Sequence, residues 1–124
     1  MRKTVGSVLV AAGLLSSSQL AEATPDAGVL ACEMSVRKVP TVAEGRVVTS
    51  GASSGCPHYY RFEVSLEYRN ILGQWWEKGD DFWSANDRGE ASTLCTHHRT
   101  PYRGIVYNHS TGKKEISDEK VIAC

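Results

Sequence analysis

The stretch His58–Arg69, read His-Tyr-Tyr-Arg-Phe-Glu-Val-Ser-Leu-Glu-Tyr-Arg, constrains the fold more than any other part of the chain. Tyr60, Phe62, Val64, Leu66 and Tyr68 share one parity, and Tyr59, Arg61, Glu63, Ser65, Glu67 and Arg69 share the other. Successive side chains of an extended chain point to opposite faces, so this pattern predicts a long strand with one buried and one wet face. At helical spacing the same apolar residues would scatter around the whole cylinder.

Turn signals cut the rest of the chain into comparable pieces. Cys32–Val39 reads as a first short strand stopped by Pro40, and Gly45–Ala52 as a second, with Ser50–Pro57 as turn material. After the central strand, Asn70-Ile71-Leu72-Gly73 is a hairpin connection in which Gly73 can take a positive backbone angle. Gln74–Trp83 returns as a fourth strand, expected to break near Gly79-Asp80, and Ser84–Gly89 is a polar loop. Glu90–Cys95, Tyr102–Asn108 and Lys114–Cys124 complete the set, separated by Thr96–Pro101 and His109–Gly112. Seven short strands at regular intervals, without a helical pattern, predict an all-β sandwich; a single barrel is the alternative.

The start of the chain reads differently. Arg2 and Lys3 precede an uncharged, mostly apolar run, Val5–Leu15, and Ala21-Glu22-Ala23 offers small residues where a signal peptidase reads. The run is shorter than the ~20 residues a spanning helix needs. Residues 1–23 are therefore expected to be a cleaved secretory signal, with no membrane span, and 24–124 a single secreted, monomeric β-sandwich domain. A lipoprotein signal ending at Cys32 fits less well, because Glu22 and Asp26 separate that cysteine from the apolar run. Without Arg2, Lys3 and Glu22, 12 basic residues stand against 13 acidic ones, which gives no overall electrostatic case for nucleic acid or an anionic membrane.

Cys32, Cys56, Cys95 and Cys124 form an even set in an exported chain, which predicts two disulfides. No two of them lie at the close spacing of zinc knuckles, and no metal or other cofactor is expected. Taken as a meander of alternating strand direction, the chain brings Cys56 back beside Cys32 at one end and both Cys95 and Cys124 to the other. A strand of seven residues is roughly 23 Å long, beyond the reach of a disulfide. Cys32–Cys56 and Cys95–Cys124 are the pairs that follow.

A set of motifs covers nearly all of residues 24–124. They are Cys32–Val36, Gly45–Gly51, Gly55-Cys56, Tyr60–Arg69, Gly73–Trp75, Ala91–Cys95, Tyr102-Arg103 and Val121–Cys124. In this layout the chain resembles small exported four-cysteine proteins of actinobacteria and filamentous fungi. The resemblance implies an immunoglobulin-like antiparallel sandwich of about seven strands and carries no established activity.

Candidate chemistry is sparse. Neighbouring His97 and His98 would face opposite ways on a strand, and no third metal ligand suggests itself. Asp80, Asp81, Asn86, Asp87 and Glu90 are rich in oxygen but miss the spacing of a paired-helix calcium loop, so a charged edge that discourages sheet pairing is expected. His58, Glu77, Arg99 or Arg103, and His109 occur in an order plausible for small microbial ribonucleases, which need an acid, a base and a cation on the phosphate. Against this, Pro40 and β-branched residues stand where such an enzyme carries its helix. Trp75 and Trp76, as neighbours on a strand, predict one core and one outward ring. An outward Trp, with Tyr59 and Trp83, forms the candidate binding set for an extracellular protein or carbohydrate. Asn108-His109-Ser110 fits the N-glycosylation pattern, relevant only in a eukaryotic source. Binding rather than catalysis is the expected function, and a secreted ribonuclease-like hydrolase the alternative.

Overall fold

The alternation in the central stretch is realised in a computed structural model that describes residues 32–124. The expected signal, residues 1–23, lies outside the described residues. Phe62, Val64 and Leu66 are fully buried, while Tyr60 and Tyr68 at the ends pack partly against the same core. The described residues form nine strands: β1 Glu33–Val36, β2 Thr41–Ala43, β3 Arg46–Ser54, β4 Arg61–Arg69, β5 Trp75–Ser84, β6 Arg88–Leu94, β7 Thr100–Asn108, β8 Lys114–Ile116 and β9 Lys120–Ile122.

All pairings are antiparallel, and they make two sheets. In the smaller sheet, β3 pairs with β6 on one side and with β1 and then β2 on the other. In the larger, β4 lies between β5 and β7, and the far side of β7 is lined by β8 and β9. Since β1 with β2, and β8 with β9, each share one edge, the nine strands fill seven lanes. The all-β sandwich is thus the observed architecture. Val47 and Ala91 from the smaller sheet meet Phe62, Val64, Leu66, Trp83, Tyr102 and Val106 from the larger, and this layer is the core.

Beyond Val47 the inward residues of β3, Thr49, Gly51 and Ser53, are small or polar. Thr49 is fully buried and faces Gly104 of β7, where an added Cβ would come within 2.3 Å of the Thr49 hydroxyl. A side chain at 104 would push the sheets apart, so glycine is required there by contact rather than by backbone angle. The Trp83 ring stacks on Phe62 with centroids 5.6 Å apart, and its Nε1 donates to the Ser53 hydroxyl at 2.7 Å. Burying a Trp with its one donor satisfied secures the apolar gain without leaving an unpaired N–H.

Several boundaries differ from expectation for identifiable reasons. β3 runs to Ser54, through residues with turn chemistry, because β1 and β6 flank Gly51 and Ala52 on both sides. β2, Thr41–Ala43, falls in a stretch assigned to no strand from the sequence. The break expected near Gly79-Asp80 is a bulge: Leu66 pairs with Gly79 and Glu67 with Glu77, which leaves Lys78 unpaired while β5 continues. The hairpin Asn70–Gly73 forms as predicted, with Gly73 at φ 82° and its N–H donating to the Asn70 carbonyl at 2.9 Å.

Both disulfides are the expected ones, Cys32–Cys56 and Cys95–Cys124, with Cα atoms 4.3 and 5.8 Å apart. Glu33 pairs with Ser54 at one end of β3, and Leu94 pairs with Arg46 at the other. The bridges therefore sit at opposite ends, as strand direction required. The simple meander is not what forms: β3 pairs with β6 rather than with β4, so the chain crosses between sheets after β3.

Candidate functional site

The aromatic residues singled out in the sequence do not assemble into one patch. Trp83 is 7% exposed and belongs to the core. Tyr59 sits in the turn before β4, its ring edge-on to His58 and Tyr60 at 5.6 and 5.3 Å. Trp75 and Trp76 pair with Arg69 and Tyr68 at the other end of β4, roughly 25 Å away along the strand. Trp75 and Trp76 face opposite sides as expected, but neither ring is core. The bulge at Lys78 reverses the facing of everything before it, so Trp76 shares the inner face with Tyr68 but lies at the sheet's end, 55% exposed. Trp75 lies on the outer face, half-buried under two guanidiniums: Arg103 at 4.2 Å and Arg69 at 5.3 Å from its ring centroid.

What the register does bring together lies on the outer face of the larger sheet. Direct cross-strand partners point to the same side. One row across β5, β4 and β7 is therefore Phe82, Glu63 and Tyr107, and the next is Asp80, Ser65 and Ile105. A third is Glu77, Glu67 and Arg103. His109, just past β7, turns back over the first row. Its Nε2 lies 2.7 Å from Glu63 Oε1, and its ring stacks near Tyr107 at 5.9 Å and Phe82 at 6.4 Å. Phe82 remains 61% exposed, at the margin of a cavity of about 400 Å³ that His109 and Arg61 also line.

The polar centre of this face is tightly held. The buried Ser65 hydroxyl donates to Glu77 Oε1 at 3.0 Å, with Glu63 Oε2 at 3.3 Å. Arg103 donates to Glu67 at 2.8 Å. Burial raises the Glu77 carboxyl above the ordinary glutamate range, and repulsion from Asp80 and Glu63 adds to it, while the Ser65 hydrogen bond works the other way. Tyr107 is held above the usual phenol range by burial and by Glu67 and Glu63, so its O–H stays a donor. One oxygen from each of Glu63, Glu77 and Asp80 falls within a 4.8 Å cluster. These three oxygens are fewer than the 6–8 that calcium takes.

No family model, curated protein or solved structure matches the chain.

The residues of the hydrolase reading are partly gathered. Glu77, Arg103 and His109 share the outer face, whereas His58 stands in the loop with Tyr59 and Arg99 in the loop before β7. Arg103 is committed to Glu67 and Trp75. His97 and His98 are exposed loop residues, His97 Nδ1 lying 3.1 Å from the Cys124 carbonyl. The oxygen-rich run disperses. Asp81 Oδ2 accepts from the Glu90 N–H, Asn86 Oδ1 from the Cys56 N–H and Asp87 Oδ1 from the Arg88 N–H, and only Asp80 joins the outer face. Asn108 is buried and its Oδ1 accepts from Ser110 and Thr111, which makes the glycosylation pattern a turn-forming device here. Phe82, Glu63, Ser65 and Tyr107 were missed as a group. Their outward parity was legible strand by strand, but the pairing that lines them up was not.

Proposed function

We propose that this is an exported protein that acts by binding, with the outer face of the larger sheet as its binding surface and a carbohydrate as the ligand class. The observation that carries the reading is Phe82: a large ring left 61% exposed on a sheet face, beside His109 and Tyr107 and next to four carboxylates. A planar apolar ring suits the C–H face of a sugar, and ordered carboxylates accept hydrogen bonds from its hydroxyls. The Tyr107 hydroxyl adds a donor. Two disulfides support an extracellular setting, in keeping with the apolar, basic-led start of the chain. The two-sheet order also supports the immunoglobulin-like assignment, with β3 and β6 facing β4 and β7 across the core, and with it the resemblance to small exported four-cysteine proteins.

A second reading, a ribonuclease-like hydrolase, is favoured by one observation: the His109–Glu63 pair lies on the same face as the perturbed Glu77 and Arg103. Charge weighs against it. Glu63, Glu67, Glu77 and Asp80 outnumber Arg103 and His109, and Arg103 is already paired, so a phosphodiester would meet repulsion where it needs a free cation.

The test is a calorimetric titration of the purified protein with soluble cell-wall polysaccharide fragments, wild type against Phe82→Ala. Burying an exposed Phe is worth about 1.5–3 kcal/mol, so affinity should fall tenfold or more while the melting temperature stays put. Equal affinity in both proteins would remove Phe82 from the site. RNA cleavage lost in His109→Ala would replace the binding reading with the hydrolytic one.

A further inference from the structure

The β4–β5 hairpin carries a second surface, independent of the outer face. Its turn is built by Asn70 and Gly73. Asn70 Oδ1 accepts from the Leu72 and Gln74 N–H groups at 2.9 Å each, and Gly73 takes the positive angle. Nothing in that geometry calls for large aliphatic side chains at the two remaining positions, where polar residues are usual. Yet Ile71 is fully exposed and Leu72 is 77% exposed, with Trp76 also exposed at the base of the hairpin.

Behind the tip lies a cleft of about 480 Å³ between the hairpin and the loop that precedes β7. Arg69, His98 and Arg99 line it, together with Tyr68, and no carboxylate does. Neither Tyr68–Trp76 nor Cys95–Arg103 contains a single Asp or Glu. Arg69 is paired with Glu119 at 3.3 Å, which leaves Arg99 and His98 as the cations of the cleft without an ion pair among the described residues. The near-zero net charge therefore conceals a local asymmetry: the outer face is acidic, and the lining of this cleft is cationic and apolar.

We propose that the hairpin tip and its cleft dock on an anionic phospholipid surface. Ile71 and Leu72 enter the headgroup–acyl boundary, Trp76 lies at the interface, and Arg69, His98 and Arg99 meet the phosphates. An apolar projection bordered by cations is what such a surface selects, because burial of aliphatic area and attraction to acidic headgroups add. Indole rings concentrate at that same depth.

The exported chain, residues 24–124, its I71D/L72D double variant and its Arg99→Glu variant would be sedimented with phosphatidylcholine vesicles, with and without about one-third phosphatidylglycerol. Wild type should pellet with the phosphatidylglycerol vesicles and be released by salt, as screened charges require. I71D/L72D should partition at least about tenfold more weakly, since each aliphatic side chain buried is worth roughly one to two factors of ten. Arg99→Glu should lose the preference for phosphatidylglycerol. All three should melt together, because the altered side chains are exposed. Equal pelleting of wild type and I71D/L72D, or pelleting indifferent to phosphatidylglycerol, would overturn the proposal. So would a concentration-dependent dimer that I71D/L72D abolishes without any vesicle binding, which would assign the tip to a second copy of the chain.

Discussion

Glu77 illustrates how much one residue's surroundings decide. On a free strand it would be an ordinary exposed carboxylate. Here Asp80 and Glu63 crowd it on the outer face, and partial burial raises its pKa. A carboxyl whose folded-state pKa lies above its unfolded value favours the fold when protonated and weakens it when ionised. Its stabilising share is present below the unfolded glutamate value, about 4.3, and is lost as pH rises through the folded value. Glu77→Gln keeps an acceptor for the Ser65 hydroxyl and removes the repulsion. The variant should melt higher than wild type at neutral pH, and the difference should vanish below about pH 4. A difference that persisted in acid would assign the effect to packing instead. Thr49 makes the opposite point: its buried hydroxyl has no hydrogen-bond partner among the described residues, at the spot where Gly104 lets the sheets close. Such a group costs about 1–3 kcal/mol, so Thr49→Val, which keeps the shape, should stabilise the fold in denaturant titrations.

Among the elements, β2 and its turn explain both what was legible in the sequence and what was not. Ala43 pairs with Arg46, so Glu44-Gly45 is a two-residue hairpin loop, with φ of 52° and 75°. Both angles are positive, the condition met by the mirror-image turn that Asn-Gly usually announces. Glutamate at the first position hides that signal, and the strand before it was not predicted. Asn tolerates the left-handed region better than Glu, so Glu44→Asn should raise stability by about 0.5–1 kcal/mol. An unchanged or lower unfolding midpoint would count against a strained turn. The long strands were legible because period-two burial is written directly in residues such as Phe62, Val64 and Leu66. Gly79-Asp80 suggested a break in this strand, but the strand continues through a bulge at Lys78, and that one unpaired residue moves Trp76 to the inner face and Trp75 to the outer. Strand direction sufficed for the cysteine pairs, because it fixes ends. It could not place Phe82, Glu63 and Tyr107 in one row, because that requires knowing that β4 lies between β5 and β7.

On the scale of the whole molecule, the fold separates its tasks. The core layer and the Cys95–Cys124 bridge hold the sheets together, Cys32–Cys56 ties β1 to β3 within the smaller sheet, and the outer face of the larger sheet is left to carry its ring, carboxylates and phenol. The hairpin tip projects from one end of that sheet. Phe82, Glu63 and His109 lie at the opposite end of β4 from the tip, so a polysaccharide held there and a bilayer at the tip can be bound at once. The central claim is the location of the ligand surface, and a heteronuclear NMR titration with soluble polysaccharide fragments tests it most directly. The account predicts saturable shifts at Phe82, Glu63, Glu77, Tyr107 and His109, with the amides of β3 and β6 unmoved. Saturable shifts confined to the smaller sheet, or no shifts on the outer face at any polysaccharide concentration, would contradict it.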